Sequence, residues 1–400
     1  MNKELLQSNI IKFYIYSFFS QFVIFAPILV PFWKSAGLSM TQITLIASFY
    51  GATVALLEVP TGTFADRFGE KLSINLGGAL LIFAAILYAY SSSFVHFLIA
   101  EFFWALSRSL MSGADSALLY NTLEGLDQKS LFNKVQGNAK FLQIIGTASA
   151  MFLTGFVAAK SLRMTFLFTA VFFVVSLIFT LKLKEPRHYR KVVKQSYFKI
   201  LSETRTFVKK HKLVKWYIIF SAIIGSFGSI FWVFYQEFFQ YINLDITYFG
   251  ILFGLYNVAA ALFSKYAEKI IAWLNVRTLL ILMSICALLP VIAMPAIGGY
   301  IVLFTIFAHQ FNRGVMKIFF PSEILKFTYD NKRATVLSLT SLLTTFICAI
   351  VTPILGYSYD KIGFDSFYIY TIIMSIVFLV MFVYYSKIPE KYFIDKNTTN

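Results

Sequence analysis

The chain has 400 residues, of which 58% are hydrophobic and only 14% are charged. A soluble globular protein is about 45–50% apolar and about 25% charged, and at the present composition it could not cover its surface with polar groups. The net charge of +16 is spread over short segments between long apolar runs. That distribution excludes the compact basic domain of a nucleic-acid-binding protein and is typical of membrane loops. The composition therefore predicts a protein that spans a lipid bilayer.

Apolar stretches long enough to cross a bilayer recur along the whole chain. A hydrocarbon core of about 30 Å needs about 20 apolar residues in a helix, and a helix satisfies its own backbone where there is no water. Twelve stretches meet this length: 11–33, 41–64, 72–93, 95–119, 136–158, 163–183, 214–238, 247–268, 277–294, 299–320, 333–357 and 366–386. We therefore predict an all-α membrane protein with twelve transmembrane helices. The first carries Pro27 and Pro31, which predict a kinked or frayed outer end.

The distribution of Lys and Arg predicts the orientation. If both termini are cytoplasmic, 29 of these residues lie on the cytoplasmic side. The opposite side then has four: Lys34, Lys160, Arg163 and Lys361. By the positive-inside rule both termini are cytoplasmic. The short tails and compact loops favour a bacterial cytoplasmic (inner) membrane.

A long basic segment, 184–213, divides the chain into an N-terminal six-helix bundle, 1–183, and a C-terminal six-helix bundle, 214–400. From Ser196 to His211, apolar residues recur at helical spacing with Lys or Arg between them. This pattern fits an amphipathic helix on the inner membrane surface, and it fits a solvated linker equally well.

Three short repeats relate the two halves. Residues 62–67 resemble 264–269, the Arg-x-x-Met pattern at Arg108 recurs at Arg313, and Leu153-Thr-Gly resembles Ile354-Leu-Gly. Their order and nearly constant offset predict a duplicated six-helix unit, hence two pseudo-symmetric bundles. Such parallel repeats place a substrate site between the halves near mid-membrane.

The loop after the second stretch carries a recognisable motif. Residues 58–71 read Glu-Val-Pro-Thr-Gly-Thr-Phe-Ala-Asp-Arg-Phe-Gly-Glu-Lys. They resemble the Gly-x-x-x-Asp-Arg-x-Gly-Arg-Lys/Arg signature of the major facilitator superfamily. Residues 112–120, Ser-Gly-Ala-Asp-Ser-Ala-Leu-Leu-Tyr, are similar to one bacterial branch of that superfamily. The resemblance covers the whole chain and implies the superfamily's fold and transport of a small molecule by alternating access.

In that superfamily the loop acts as a conformational latch. The resemblance implies this role for Glu58, Gly62, Asp66, Arg67, Gly69 and Lys71. We expect Gly62 to let the second helix approach a neighbour closely and Gly69 to permit a tight turn. Glu70 stands where the family usually has Arg. Its partner is then expected among Asn121 and Glu124 at the inner end of the fourth helix, in a weaker or differently paired latch.

Ionisable residues within spanning helices are costly and usually face the interior of a bundle. The fourth helix has Glu101, Arg108 and Asp115 at spacings of seven, which on a continuous helix returns to within roughly 20° and predicts a shared face. We predict that Arg108 holds an anionic group or orients an acid on another helix. Asp115 is the better candidate to carry a proton. The alternative for each residue is a structural ion pair or a packing role.

The resemblance completes the predicted cavity, since helices 1, 4, 7 and 10 line it in the family. Its predicted residues are Gln21, Phe25, Glu101, Trp104, Arg108, Asp115, Trp232, Tyr235, His309, Asn312 and Arg313. Aromatic side chains with a few polar groups suit an amphipathic small molecule. Glu237, near the outer end of the seventh helix, is expected to be solvated.

These observations predict a secondary active transporter. Proton-coupled export of an amphipathic compound, as in multidrug exporters, is favoured over uptake of a nutrient or metal chelate. The exporters of the family often carry Gly-x-x-x-Gly-Pro-x-x-Gly-Gly in helix 5, however, and residues 146–155 contain no proline. Export is therefore not established by that motif. A non-transporting membrane sensor, or an enzyme with an intramembrane site, is the alternative class.

The sequence contains no nucleotide-binding loop, no metal-ligand spacing and no catalytic dyad. We therefore predict a protein that is not an enzyme, needs no cofactor and draws energy from an ion gradient. Its expected partners are a small-molecule substrate, protons or another coupling ion, and lipid, but no nucleic acid. We expect a monomer.

Overall fold

The computed structural model describes residues 3–186, 208, 211–328 and 333–388, and every regular element in these ranges is helical. The helices are α1 (Lys3–Phe19), α2 (Leu29–Ser35), α3 (Met40–Phe68), α4 (Glu70–Tyr90), α5 (Phe94–Met111), α6 (Ala114–Gly125), α7 (Phe132–Ala158), α8 (Leu162–Leu181), α9 (Lys212–Tyr241), α10 (Thr247–Lys265), α11 (Ala267–Trp273), α12 (Val276–Ala296), α13 (Val302–Lys326), α14 (Arg333–Ile362) and α15 (Ser366–Ser386). Short 3₁₀ turns occupy Ala26–Ile28, Lys129–Leu131 and Gly363–Asp365. The all-α prediction is confirmed.

Each of the twelve predicted stretches is largely helical in the described chain, although the first, the fourth and the eighth are interrupted. Nine helical stretches there are long and apolar enough to span a membrane, and one of them, Thr335–Ser386, contains both α14 and α15. The two predicted crossings that do not qualify are the first, which is interrupted, and the tenth, which is α13. The count of twelve stays a prediction for these two. Most of the predicted amphipathic segment 196–211 lies outside the described residues.

The described chain packs as two compact units. The first, which we call the N-terminal bundle, comprises Met1–Lys191 and Asn243–Gly254; the second, the C-terminal bundle, comprises Val192–Ile242 and Leu255–Asn400. The start of α10 groups with the N-terminal bundle because it crosses α7 at backbone distance. A Cβ atom on Gly250 would lie 2.0 Å from the carbonyl oxygen of Met151. The domain limits drawn from the sequence stay a prediction.

The first predicted stretch is not one helix. α1 ends at Phe19, residues 20–25 are not helical, and the chain resumes helical turns at Ala26–Ile28. Pro27 explains part of this, because a proline lacks the N–H that would bond to the preceding turn and restricts the residue before it. The sequence predicted a kinked or frayed outer end. Pro27 and Pro31 are buried, and the interruption lies before them.

Side chains from three other helices bind the backbone of this interruption. The Ile24 N–H donates to Thr169 Oγ1 on α8 at 3.0 Å, and Thr154 Oγ1 on α7 donates to the Ile24 carbonyl at 2.6 Å. Arg108 Nη1 on α5 reaches the Ser20 carbonyl at 3.5 Å. Without such partners, unpaired peptide groups buried in a membrane protein would cost several kcal/mol. These contacts hold the interruption in a defined position within the N-terminal bundle.

Small side chains join α5 to its neighbours. Ser107 Oγ donates to the Gly77 carbonyl on α4 at 2.6 Å, and Ser73 Oγ on α4 donates to the Leu110 carbonyl at 2.6 Å. Lipid offers no hydrophobic drive for helix association, so close packing and such hydrogen bonds hold membrane helices together. They fix the position of α5, which carries Glu101, Trp104 and Arg108 of the predicted N-terminal site.

Close packing and hydrogen bonds also hold the helices of the C-terminal bundle together. A Cβ atom on Gly314 of α13 would lie 2.7 Å from the Ala260 carbonyl oxygen of α10, so only glycine permits this crossing. Trp216 Nε1 on α9 donates to the Met381 carbonyl on α15 at 2.8 Å. These contacts position α9 and α13, the two helices that carry the predicted C-terminal site residues.

Candidate functional site

The fourth predicted helix is divided into α5 and α6. Ser112 is extended and Gly113 has φ +76°, a left-handed conformation that glycine adopts without strain. Glu101 and Arg108 therefore lie on α5, whereas Asp115 lies in the first turn of α6. Because the helix is interrupted between Arg108 and Asp115, helical spacing alone does not relate the face of Asp115 to that of the other two residues, and the shared face stays a prediction.

Arg108 is half-buried and has few contacts in the described chain. Its Nη1 lies 3.5 Å from the Ser20 carbonyl oxygen, and its guanidinium carbon lies 5.5 Å from the centre of the Trp104 ring. No described carboxylate lies within 4.0 Å of it. A guanidinium has five N–H donors, and most of those of Arg108 are left for other partners. The pairing with an acid that the sequence left open is not formed.

Trp104 and Phe25 belong to a buried aromatic cluster. Trp104 is 8% exposed and Phe25 is 4% exposed. The Phe25 ring stacks on Phe166 at 4.2 Å and meets Trp104 edge-on at 5.2 Å. Phe25 therefore packs in the interior of its own bundle. Gln21, in the helix-1 interruption, is half-buried, and its side chain has no hydrogen-bond partner among the described residues.

Glu101 is 8% exposed, and its carboxylate accepts a hydrogen bond from the Tyr88 hydroxyl on α4. Tyr88 is 1% exposed, and its ring packs on Phe25 at 6.0 Å. Tyr50 on α3 lies within electrostatic reach of both Glu101 and Arg108. Sequence reasoning missed Tyr88, whose only signal was a hydroxyl group in a long apolar stretch.

Asp115 binds its own helix. Its Oδ1 accepts from the Ser116 N–H at 2.6 Å and from the Ser116 hydroxyl at 3.2 Å. A carboxylate in the first turn of a helix is stabilised by the unpaired N–H groups and the helix dipole. Gln136 Nε2 on α7 in turn donates to Ser116 Oγ at 3.0 Å. These contacts hold the Asp115 carboxylate at the start of α6, and its role as a proton carrier stays a prediction.

In the C-terminal bundle, Arg313 lies between two amide side chains. Its Nη1 donates to Gln310 Oε1 at 2.7 Å and its Nη2 to Asn257 Oδ1 on α10 at 3.2 Å. Gly228 on α9 faces the aliphatic part of the same side chain. Unlike Arg108, Arg313 uses both terminal nitrogens within its bundle.

His309 connects three helices of this bundle. Its Nε2 lies 2.7 Å from the Ala287 carbonyl on α12, and its Nδ1 contacts the hydroxyl of Tyr235 on α9. A carbonyl can only accept, so Nε2 carries the proton and Nδ1 accepts from the tyrosine. Asn312 Nδ2 donates to the Met283 carbonyl of α12 at 2.9 Å. His309, Tyr235 and Asn312 are all buried and hold the bundle together, whereas Trp232 is half-buried.

The structure thus places the predicted residues in two separate sets. In the N-terminal bundle, α5 brings Trp104 and Arg108 to the helix-1 interruption with Gln21 and Phe25, while Glu101 contacts this region through Tyr88. In the C-terminal bundle, Tyr235 and His309 touch directly.

The predicted latch residues lie at the end of α3 and the start of α4. Gly69 has φ +103° and joins the two helices, which confirms the tight turn expected of it. Gly62 is exposed, and a Cβ atom there would meet nothing within 4 Å, so the close approach expected at Gly62 is wrong. Glu58, Asp66 and Arg67 are exposed. The guanidinium of Arg67 lies 5.4 Å from the ring of its neighbour Phe68.

Two carboxylates organise this turn within the N-terminal bundle. Glu70 is 1% exposed, and its Oε1 accepts from Asn121 Nδ2 on α6 at 3.1 Å, which is one of the two partners expected from the sequence. Glu185, beyond α8, accepts from the Lys71 backbone N–H at 2.9 Å. Gly69 has no side chain that could cap α4, so Glu185 supplies the cap from a distant part of the chain. Sequence reasoning did not identify Glu185.

We expect Glu185→Ala to destabilise the protein by about 1–2 kcal/mol, because it removes a carboxylate from the N-terminus of α4. Thermal unfolding in detergent measures the effect. Glu124→Ala is the matched control, since Glu124 pairs at 2.5 Å with Lys129 on the surface, where ion pairs contribute little. Equal melting temperatures for the two variants would show that Glu185 is not a cap.

The described residues contain no cluster of three or more His, Cys, Asp or Glu that could hold a metal ion. Cys286 and Cys348 are free thiols there.

Comparisons with known proteins identify the family and the fold of the chain. The family model of the Major Facilitator Superfamily matches residues 13–347. The uncharacterized MFS-type transporter YxaM of Bacillus subtilis (strain 168) is 30% identical over 158 residues. That match covers 39% of this chain and 38% of YxaM, so it spans well under half of either protein.

Solved structures show the same fold. The nucleoside transporter NupG superposes with a TM-score of 0.77 at 14% identity, covering 94% of this chain and 99% of NupG. A bacterial homologue of the human lysosomal transporter Spinster gives a TM-score of 0.70 at 15% identity over 91% of this chain and 86% of that one. At such identities the likeness concerns the fold alone. The family match extends from the first predicted stretch into the eleventh, and the chain belongs to the major facilitator superfamily.

Proposed function

We propose that the protein is a secondary active transporter that exports a small amphipathic compound in exchange for protons. The observation that carries this proposal is the region around α5. In the described chain, Arg108 contacts the Ser20 carbonyl and Glu101 contacts the Tyr88 hydroxyl, both uncharged groups, and the two residues lie beside an aromatic cluster. Charges kept within spanning helices are costly and mark substrate or ion pathways. Aromatic side chains beside a few polar groups suit an amphipathic ligand.

The coupling is proposed from the same residues. The Glu101 carboxyl group can exchange a proton, whereas the Arg108 guanidinium offers a planar set of hydrogen-bond donors to a substrate. The two side chains thus offer separate sites for a proton and for substrate. The turn at Gly69, held by Glu70 and Glu185, is proposed as the conformational latch of the transport cycle.

Accumulation in cells tests the function. Cells that express the protein are loaded with a panel of amphipathic dyes and antibiotics, and retention is followed before and after the proton gradient is dissipated. We expect at least one compound to be retained less than in cells with Arg108→Ala, and the difference to vanish without the gradient. Higher retention in the wild type indicates uptake instead. Identical retention of every compound, with or without the gradient, contradicts proton-coupled transport of this substrate class.

We also propose that the protein lies in the bacterial cytoplasmic membrane with both termini inside. After Cys286 and Cys348 are replaced by Ser, cysteines introduced by Lys3→Cys and Asn397→Cys should react with an impermeant maleimide only in inverted vesicles. The 29-to-4 division of Lys and Arg supports this outcome. Labelling of either position in intact cells rejects the topology.

A further inference from the structure

We propose that Arg108 and the interruption of helix 1 form a subsite for the anionic group of the substrate, and that the substrate is an aromatic organic anion such as a carboxylate. This proposal rests on the proposed transport function and specifies its substrate class. It also decides between the two roles that the sequence left open for Arg108, because no described carboxylate reaches its guanidinium.

The backbone at residues 20–25 forms one wall of this subsite. Discontinuous helices form binding sites in transporters, because the freed backbone groups and adjoining side chains can turn toward a ligand. At Ile24 both backbone groups are already used by Thr169 and Thr154 at 3.0 and 2.6 Å. Among the described residues, the Ser20 carbonyl has only the long 3.5 Å contact with Arg108. The Ile24 end of the interruption is therefore fixed by hydrogen bonds, whereas the Ser20 end makes a long contact with the Arg108 guanidinium.

Two side chains at the Ser20 end of the interruption offer hydrogen-bond donors. Arg108 uses one terminal nitrogen for the Ser20 carbonyl and presents the others to no described acceptor. Gln21 follows Ser20 directly and has a half-buried side chain without a described hydrogen-bond partner. Its amide nitrogen can donate beside the guanidinium. A planar guanidinium fork binds a carboxylate through two parallel hydrogen bonds, so the donor set fits an oxyanion.

An aromatic cluster beside Arg108 offers contacts for the apolar part of the ligand. The guanidinium carbon of Arg108 lies over the Trp104 ring, 5.5 Å from its centre, and Phe25 meets that ring edge-on at 5.2 Å. The cation–π contact holds the guanidinium beside this cluster. An aromatic acid can bind with its carboxylate at Arg108 and its ring against the exposed part of Trp104.

Arg313 provides an internal comparison. It stands at the corresponding position of the second sequence repeat, but Gln310 and Asn257 occupy its two terminal nitrogens at 2.7 and 3.2 Å. Two arginines of similar location thus differ in whether their donors are used. The geometry assigns the anion to Arg108 alone, and Arg313 becomes a matched control.

Equilibrium binding without any gradient tests the subsite. Purified full-length protein in lipid nanodiscs is titrated with benzoate, salicylate and indole-3-acetate, and with the neutral benzamide, salicylamide and indole-3-acetamide, while the melting temperature is followed. We expect at least one carboxylate to raise the melting temperature saturably and its amide to have no effect. Arg108→Gln should weaken that binding by about thirtyfold or more, Gln21→Leu by about threefold, and Arg313→Gln by less than about twofold.

Arg108→Lys separates loss of binding from loss of folding. It keeps the charge but lacks the planar fork, so we expect binding of intermediate strength. Three results would each overturn the proposal: equal binding of acids and amides, undiminished binding in folded Arg108→Gln, or no saturable binding of any carboxylate by the wild type. Because no gradient is present, these results are independent of the cell assay. A protein that binds the acids but transports nothing would refute the transport function while leaving the subsite intact.

Discussion

We expect Gly146→Ala to lower the stability of the purified protein by about 3 kcal/mol. Gly146 lies in the middle of α7, where α1 crosses it at backbone distance. A Cβ atom at this position would lie 2.2 Å from the Phe18 carbonyl oxygen and 3.1 Å from its carbonyl carbon. Backbone atoms cannot rotate away as a flexible side chain can, so the two helices must separate. Phe18 lies directly before the helix-1 interruption, and the displacement should therefore also disturb Arg108 and its neighbours.

Gly137→Ala in the same helix is the control. A Cβ atom on Gly137 would meet nothing within 4 Å, and alanine favours a helix over glycine by roughly 0.5–1 kcal/mol. We therefore expect this variant to melt at the wild-type temperature or above it, in the same detergent. A Gly146→Ala protein that is as stable as Gly137→Ala would show that α1 and α7 do not cross at this distance.

The helical content was predictable because apolar runs of about 20 residues leave few alternatives in a membrane. The interruption of helix 1 was only half predictable. Pro27 and Pro31 indicated a local distortion, but its position depends on what can bind the freed backbone. Thr154 and Thr169, which do so, are more than 100 residues away in the sequence. No local pattern connects them with Ile24.

The candidate site was likewise only partly predictable from the sequence. The spacing of Glu101 and Arg108 was correctly read as helical, but one glycine with positive φ, Gly113, places Asp115 on a separate helix. Glu237 was expected to be solvated, which is wrong: it is 5% exposed, and its Oε1 accepts from the Tyr359 hydroxyl at 2.9 Å. Position along a helix gives the depth of a residue, whereas burial depends on the neighbouring helix.

Glu70 shows where a departure from a family motif was informative. The motif usually has Arg there, and the substitution pointed to a different partner at the inner end of the fourth helix. Asn121 is that partner, at 3.1 Å. An amide can donate to a carboxylate, so a reversal of charge at one position is accommodated by a neutral residue at the other.

The second large effect is expected from Glu101→Gln, which should make transport independent of the proton gradient. Glu101 is 8% exposed and accepts a hydrogen bond from the hydroxyl of Tyr88 on α4. The cation on its own helix, Arg108, is two turns away and forms no ion pair with it in the described chain. An ionised carboxylate in such surroundings is costly. A proton on Glu101 removes that charge, and a movement that exposes Glu101 to water allows the proton to leave.

Glutamine keeps the hydrogen bond from Tyr88 but cannot exchange a proton, so Glu101→Gln should still bind substrate. In proteoliposomes with an imposed pH gradient, we expect wild-type transport to rise about tenfold or more over the rate without a gradient, and the variant to show a single low rate in both conditions. Asp115→Asn is the control, because the Asp115 carboxylate binds Ser116 at the start of α6. It should lose some stability but keep its response to the gradient. If Asp115→Asn abolishes that response and Glu101→Gln retains it, the proton is carried by Asp115, and the contacts of Glu101 with Tyr88 serve only to pack α5 against α4.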